Sequence, residues 1–233
     1  MKALLLAAGL GTRLRPITDT TPKCLVPILG KPLLDYWLNL LLRSGIDRVL
    51  INTHYLAEHV ERFAAGSRWR NQISLVHEDE LLGTGGTVLR NRDFFGRHAF
   101  MVVHADNLSS FDVSAFIARH RARPRKAALT MMTFDTDAPQ SCGIVVLNDQ
   151  DLVEEMHEKS ATPPGRRANA AVYIFEPEVV ELIASLGKPA VDLSTEVLPH
   201  FMGRIYTFHN SSYHRDIGSP ESLKRAETEF ARL

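Results

Sequence analysis

Short apolar runs alternate with stretches of helical spacing through the first half of the chain, and this alternation constrains the fold more than any other feature. Residues 2–7, 48–52, 73–77 and 99–104 are each short and apolar enough to be buried strands. Between them, residues 32–44 carry Leu33, Leu34, Trp37, Leu38, Leu41 and Leu42 at helical spacing, and Gly45 supplies a stop. Further helices are expected over 56–65 and 86–94. A strand–loop–helix–strand–helix–strand order predicts an α/β, Rossmann-like fold, with a mainly parallel mixed sheet flanked by helices. Sheets of that kind bind ligands at the carboxyl ends of their strands, so the loops there are the place to look for chemistry.

The second half is less regular. Residues 127–134, 143–147 and 170–175 read as strands, with 152–157 as one more. Helices are expected after Pro177, over 193–200, and from Ser219-Pro220, an N-cap with proline in the first turn. Residues 163–167 read as an exposed loop rather than a linker, and no repeat divides the chain. The expectation is one domain over 1–233 with two lobes, about 1–110 and about 111–233. The 27 Lys and Arg are balanced by 27 Asp and Glu, which leaves no electrostatic footprint for nucleic acid or an anionic membrane. Two cysteines, Cys24 and Cys142, make neither a disulfide framework nor a CxxC pair. The apolar opening superficially resembles a signal peptide, but it runs straight into Gly9-Leu10-Gly11-Thr12-Arg13, as a strand feeding a loop does. No segment nears the roughly 20 apolar residues of a membrane span. A cytoplasmic protein is expected.

That first loop is the most informative segment. A glycine-rich turn at a strand end lets backbone N–H groups approach phosphate oxygens. The dinucleotide fingerprint fails, because Leu14 stands where a third glycine is needed, and the Walker A pattern fails as well. Arg13, followed by Pro22-Lys23, places two cations on the same loop, as a polyphosphate site requires. Asp106 ends an apolar strand and Asp216 follows Tyr213-His214-Arg215; taken alone, each reads as a turn or cap aspartate. Residues 157–161 miss the HExxH pattern at its last position, no GxSxG elbow occurs, and neither cysteine lies in a catalytic signature.

The run Gly9-x-Gly11-x-Arg13-x-x-Pro16-x-Thr18-x-x-x-Pro22-Lys23 resembles the signature of the sugar-1-phosphate nucleotidyltransferases. The resemblance continues in Leu82-Gly83-Thr84-Gly85-Gly86, His104-Ala105-Asp106-Asn107, Cys142-Gly143-Ile144-Val145, Glu158-Lys159 and Asp216-Ile217-Gly218-Ser219-Pro220-Glu221. Ser160 and Cys24 depart from the usual prolines, and Ala105 from the usual glycine. The resemblance implies the nucleotidyltransferase fold without a C-terminal β-helix, a nucleotide-binding lobe and then a sugar-binding lobe. It also implies attack by a sugar 1-phosphate on the α-phosphorus of a nucleoside triphosphate, releasing pyrophosphate. Arg13 and Lys23 would then neutralise phosphates, and Asp106 and Asp216 would hold Mg²⁺. Leu6, Ala8, Gly9, Gly11, Thr12, Glu78, Gly83 and Thr84 would bind the nucleotide. Gly143, Glu158, Lys159 and Asn169 would bind the sugar phosphate.

A carboxylate within residues 76–80 could accept paired hydrogen bonds from guanine, which uracil and thymine cannot match. Together with the likeness of this run to guanylyltransferases acting on mannose-type sugars, that favours GTP. The sugar would be mannose 1-phosphate or D-glycero-α-D-manno-heptose 1-phosphate, serving capsule, S-layer or O-antigen precursor supply. A uridylyl- or thymidylyltransferase is the alternative within the family, and a homodimer is compatible with it. From other classes, a DxD glycosyltransferase would use Asp135-Thr136-Asp137 or Asp149-Gln150-Asp151, and a nucleotide-sensing subunit would lack one of the four charged residues that are all present here.

Overall fold

A computed structural model describes residues Met1–Leu233. The strands, in chain order, are β1 (Lys2–Leu6), β2 (Pro27–Ile28), β3 (Lys31–Pro32), β4 (Arg48–Thr53), β5 (Ile73–His77), β6 (Phe100–His104) and β7 (Asn107–Ser110). They continue as β8 (Leu129–Asp135), β9 (Gly143–Leu147), β10 (Val153–Glu158), β11 (Arg167–Phe175), β12 (Ile205–His209) and β13 (Tyr213–Asp216). The helices are α1 (Leu33–Arg43), α2 (Ala57–Gly66), α3 (Gly83–Arg90), α4 (Arg92–Phe95), α5 (Val113–Arg121), α6 (Pro177–Ser185) and α7 (Pro220–Phe230). They fall into two compact units that do not follow chain order. The first gathers Met1–Leu81, Val103–Phe111 and Ser212–Leu233, and the second Leu82–Val102 and Asp112–Ser211.

In the first unit β1, β4 and β5 pair in parallel in that order, with Leu4 opposite Leu50 and Leu50 opposite Ser74. Ala3, Leu4 and Leu5 are fully buried in succession, which is why this strand reads as a continuous apolar run and not an alternating one. The leucine stripe on α1 is core: Leu33, Leu34, Trp37, Leu38, Leu41 and Leu42 are all buried, each contributing about 1.5–3 kcal/mol of apolar transfer free energy. Tyr36, on the helix's other side, packs edge-on against Phe230 of α7.

The second unit is mainly antiparallel, with β10 on β9, β9 on β11 and β11 on β8, while β12 joins β8 in parallel. The whole is a mixed sheet flanked by helices, parallel where the strand–helix alternation is regular. Phe95 stacks on Phe100 at 4.0 Å between ring centroids, and Phe100 meets Phe175 edge-on at 6.0 Å. The stretch expected as a helix over 193–200 is instead a π turn, Leu193–Val197, followed by a 3-10 turn, Leu198–Phe201. Pro199 lacks the N–H an α-helix would need there, and its ring clashes with the preceding turn. Likewise, the helix expected over 86–94 begins earlier, at Gly83, and is interrupted at Asn91.

Candidate active site

The glycine turn leaves the carboxyl end of β1. Gly11 sits at φ +63°, and a Cβ there would come within 2.9 Å of Thr18 Cγ2 and 3.2 Å of Lys23 Cβ. Both its conformation and its neighbours therefore demand glycine. Its carbonyl accepts from Thr18 Oγ1 at 2.7 Å and from the Leu14 N–H at 2.9 Å, closing the loop on itself. Leu14 is fully buried, so the short turn Thr12–Leu14 is pinned by one leucine while Arg13 beside it projects outward, its side chain 71% exposed.

Lys23 lies in the turn Lys23–Leu25, with Cys24 buried beneath it. Burial pushes the Cys24 thiol up to about 12, so it stays protonated and takes no nucleophilic part. The Lys23 side chain is only 8% exposed, and its Nζ donates to Asp106 Oδ2 at 2.8 Å and to Asp216 Oδ1 at 3.2 Å. Arg13 Nη2 stands 3.6 Å from the other oxygen of Asp216, Oδ2. Four residues scattered along the chain thus converge within the first unit.

A two-stranded ribbon brings the acids together. β7 pairs antiparallel with β13, with Asn107 opposite Asp216, so Asp106 and Asp216 leave the ribbon at the same end. Strand alternation sorts the side chains of β13. Tyr213 and Arg215 both reach Glu229 of α7, the arginine through two bonds at 2.7 and 3.0 Å. His214 and Asp216 point the other way, His214 bonding Ser109 Oγ at 3.3 Å. The Trp37 indole donates to the Asn107 carbonyl at 2.8 Å, fixing the ribbon to α1. Burial raises the Asp106 carboxyl, but the Lys23 ammonium, the charge of His104 and the bond from Lys23 outweigh it and hold Asp106 below its ordinary value. Burial, aided by Arg215 and opposed by Asp106, brings His214 down to about 3, so it stays neutral beside the acids.

Divalent-ion chemistry fits this donor set. Two carboxylates reach toward one cationic nitrogen, and carboxylate oxygens suit a hard cation. No group of three or more His, Cys, Asp or Glu side chains forms a metal cage. Asp106 and Asp216 are the residues that could hold such an ion.

Of the remaining nucleotide candidates in this unit, Leu6 and Ala8 are buried at the base of the loop, while Gly9 and Thr12 are exposed. Glu78 is 1% exposed and its Oε1 accepts from Asn52 Nδ2 at 3.1 Å. Asn52 Oδ1 in turn accepts from the Ala7 N–H at 2.7 Å, and His54 Nδ1 pairs with the Glu78 carbonyl at 2.7 Å. Glu78 is thus turned inward, where it braces the first loop through Asn52, and Asp79 and Glu80 are the carboxylates of this segment that face solvent. Sequence reasoning missed Asn52; its place at the end of a buried apolar strand was the available signal.

In the second unit, Gly83 and Thr84 open α3 against residues 189–193. The N–H groups of Gly85 and Gly86 both donate to the Val191 carbonyl, at 2.8 and 3.3 Å. Thr84 Oγ1 accepts from the Leu193 N–H at 2.8 Å and donates to Asp192 Oδ2 at 3.5 Å. The sugar candidates do gather: Gly143 of β9 lies opposite Glu158 of β10, and a Cβ on Gly143 would fall 2.5 Å from Glu158 Oε2 and 3.9 Å from Asn169 Cβ. Lys159 Nζ is 3.7 Å from Glu158 Oε1, with its side chain 70% exposed. Asn169 is oriented by a bulge in β11, donating to the Tyr173 hydroxyl at 2.8 Å and accepting from the Ala171 N–H at 2.9 Å. Tyr173 is a second residue the sequence did not single out; it reads there simply as core.

One acid of each rival pair has a basic neighbour. Asp151 bonds Arg119 Nη2 at 2.6 Å, and Asp135 lies 3.8 Å from His209. No helix is long and apolar enough to cross a membrane.

Over 235 residues, 99% of its length, the chain is 33% identical to a mannose-1-phosphate guanylyltransferase of Mycobacterium tuberculosis, of which it covers 64%. It is 35% identical over 199 residues, 79% of this chain and 51% of that one, to a UTP–glucose-1-phosphate uridylyltransferase of Synechocystis sp.. The chain therefore spans between half and two thirds of these curated relatives. Among solved structures, HddC from Yersinia pseudotuberculosis complexed with GMP-PN superposes with a TM-score of 0.81 and 26% identity, covering 98% of this chain and 99% of that one. The nucleotidyl transferase family model matches residues 2–232, and the chain belongs to that family.

Proposed function

We propose that this chain joins a nucleoside triphosphate to a sugar 1-phosphate, forming a nucleotide sugar and releasing pyrophosphate. The observation that carries this reading is the Lys23 ammonium bridging Asp106 and Asp216, with Arg13 beside Asp216 on the glycine turn. Such a reaction needs no protein nucleophile. A phosphate oxygen of the sugar attacks the α-phosphorus in line with the departing pyrophosphate, so catalysis is positioning and neutralisation of charge. Arg13 holds the β- and γ-phosphates, and Lys23 offsets repulsion between the two anionic substrates. Mg²⁺ held by Asp106 and Asp216 would neutralise and polarise the reacting phosphates. The second unit's Gly143, Glu158, Lys159 and Asn169 serve the sugar 1-phosphate, with Glu158 and Asn169 toward hydroxyls and Lys159 toward the phosphate.

Guanine is the base we favour, resting against Leu6, Ala8, Gly9, Gly11 and Thr12 and the carboxylates after β5. The guanylyltransferase relative and the GMP-PN complex of HddC support that choice, as do the solvent-facing Asp79 and Glu80. A manno-configured sugar is the partner we favour: the mannose-1-phosphate relative supports mannose, manno-heptose 1-phosphate is the larger variant of the same configuration, and capsule, S-layer or O-antigen precursor supply is the matching use. A pyrophosphate-release assay crossing GTP, UTP, dTTP and ATP with mannose, glucose, N-acetylhexosamine and manno-heptose 1-phosphates tests both choices. The expected result is release with GTP and a manno-configured partner. Preference for UTP or dTTP overturns the guanine assignment, and silence from every pair overturns the reaction.

A further inference from the structure

Gly218 lies two residues beyond Asp216, between fully buried Ile217 and Ser219, which caps α7 by accepting from the Ser222 N–H at 3.2 Å. Its φ is outside the left-handed region, unlike that of Gly11, so its backbone would accept any L-residue. What marks it is the space where a side chain would be. A Cβ there would fall 2.6 Å from Arg13 Nη2, 3.0 Å from Arg13 Cζ and 2.7 Å from Asp216 Oδ2. None of these is a backbone atom. They are the working ends of two site residues, from distant points in the chain, sharing the hollow above one Cα.

We infer that Gly218 is a positioning residue for the proposed reaction, its missing side chain being the seat in which the Arg13 fork and the Asp216 carboxylate are held together. The two oxygens of Asp216 divide the work. Oδ2 occupies the hollow near Arg13, while Oδ1 accepts from Lys23. Because the carboxylate is rigid, pushing Oδ2 out of the hollow also swings Oδ1 away from Lys23, so one methyl group would disturb both cations and one candidate metal ligand. The fold would scarcely notice, since both colliding groups are flexible tips with solvent to move into. A displacement near 1 Å at reacting groups costs on the order of 10²-fold in rate.

The inference rests on the reading of Arg13 and Asp216 given above, and the test separates the two. Gly218→Ala should unfold within a few degrees of the parent, yet lose about 10- to 100-fold in kcat/KM for the triphosphate with KM for the sugar phosphate nearly unchanged. Two readouts do not need turnover: calorimetric affinity for the triphosphate without divalent ions should weaken, through Arg13, and Mn²⁺ affinity read by electron paramagnetic resonance should weaken, through Asp216. With Arg13→Ala as background, Gly218→Ala should cost clearly less than it does in the parent, because one of the colliding tips is gone. Parent-like binding and turnover in Gly218→Ala, a cost that simply multiplies in the Arg13→Ala background, or a collapse of thermal stability would each overturn the assignment. If the parent itself releases no pyrophosphate, the reaction is wrong, and the two binding measurements still decide whether Gly218 seats these groups.

Discussion

An ammonium lodged between carboxylates at 2.8 and 3.2 Å, with its own side chain almost wholly covered, is held in place from both sides. Lys23→Met keeps the buried stem but removes the charge. Asp106 and Asp216 are about half exposed and can take up water, so the stability cost should be near 1 kcal/mol. That is a fall of about 2–4 °C in Tm for a chain this size. Turnover should fall far more, on the order of 10²–10³-fold, as expected when a preorganised charge aimed at phosphates is removed. Asp106→Asn and Asp216→Asn should fall by a similar factor while folding normally. Any of the three variants working within tenfold of the parent in the pyrophosphate assay would remove that residue from the machinery. At this scale the sequence was readable because Arg13, Lys23, Asp106 and Asp216 sit in motifs with fixed spacing. Glu78 shows where that stops. Glu78, Asp79 and Glu80 are chemically alike in a sequence, and only the pairing of β4 with β5, which puts Asn52 within reach of Glu78, decides which carboxylate turns inward.

Glycines at the start of α3 have a packing role that the sequence does not display. The resemblance assigns Gly83 and Thr84 to the nucleotide, while the N–H groups of Gly85 and Gly86 beside them donate to the Val191 carbonyl. A Cβ on Gly86 would lie 2.3 Å from the backbone oxygen of Pro189 and 3.0 Å from Leu82 Cβ. Helix propensity by itself would reward Gly86→Ala by about 1 kcal/mol. Overpacking against a backbone that cannot step aside costs about 1–3 kcal/mol, and it should win. The variant should melt several degrees lower, and an unchanged or raised Tm would show that residues 189–193 are not seated on the helix as described. Elements with strong patterns, such as β1 and α1, were legible. β7, β12 and α5 were not: β7 exists only because β13 pairs with it, and α5 has the weak amphipathicity of a helix whose last turn is Arg119, His120 and Arg121.

At the scale of the whole molecule, strand–helix alternation predicts the parallel first unit well, because each apolar run there is local information. Its membership is another matter: α7 and β13 join residues near the N-terminus, and Leu82–Val102 joins the second unit, through contacts that no local pattern encodes. Charge is balanced at 27 against 27, so general repulsion contributes little near neutrality, and pH should act on stability through particular buried groups. His120 is the clearest. Its Nδ1 pairs with Thr130 Oγ1 at 2.8 Å and its Nε2 with Glu176 Oε1 at 3.1 Å, and Arg123 bonds the same Glu176. Burial, with the Arg123 charge added, brings it down to about 3. Burial also lowers His209, with Arg167 assisting and Asp135 opposing. In the unfolded chain both imidazoles take up protons near pH 6.5, while the folded chain refuses them. Stability is therefore full above about pH 6.5 and drains as the pH falls from there, for His120 toward 3 at up to about 1.4 kcal/mol per pH unit, with His209 acting in the same direction. Urea unfolding at pH 7.5, 6.5, 5.5 and 4.5 should show this decline, and His120→Gln, less stable at neutral pH, should decline by about one proton's slope less. Parallel declines in the two proteins would mean that His120 is protonated without penalty in the fold, which its enclosure between Thr130, Glu176 and Arg123 does not allow.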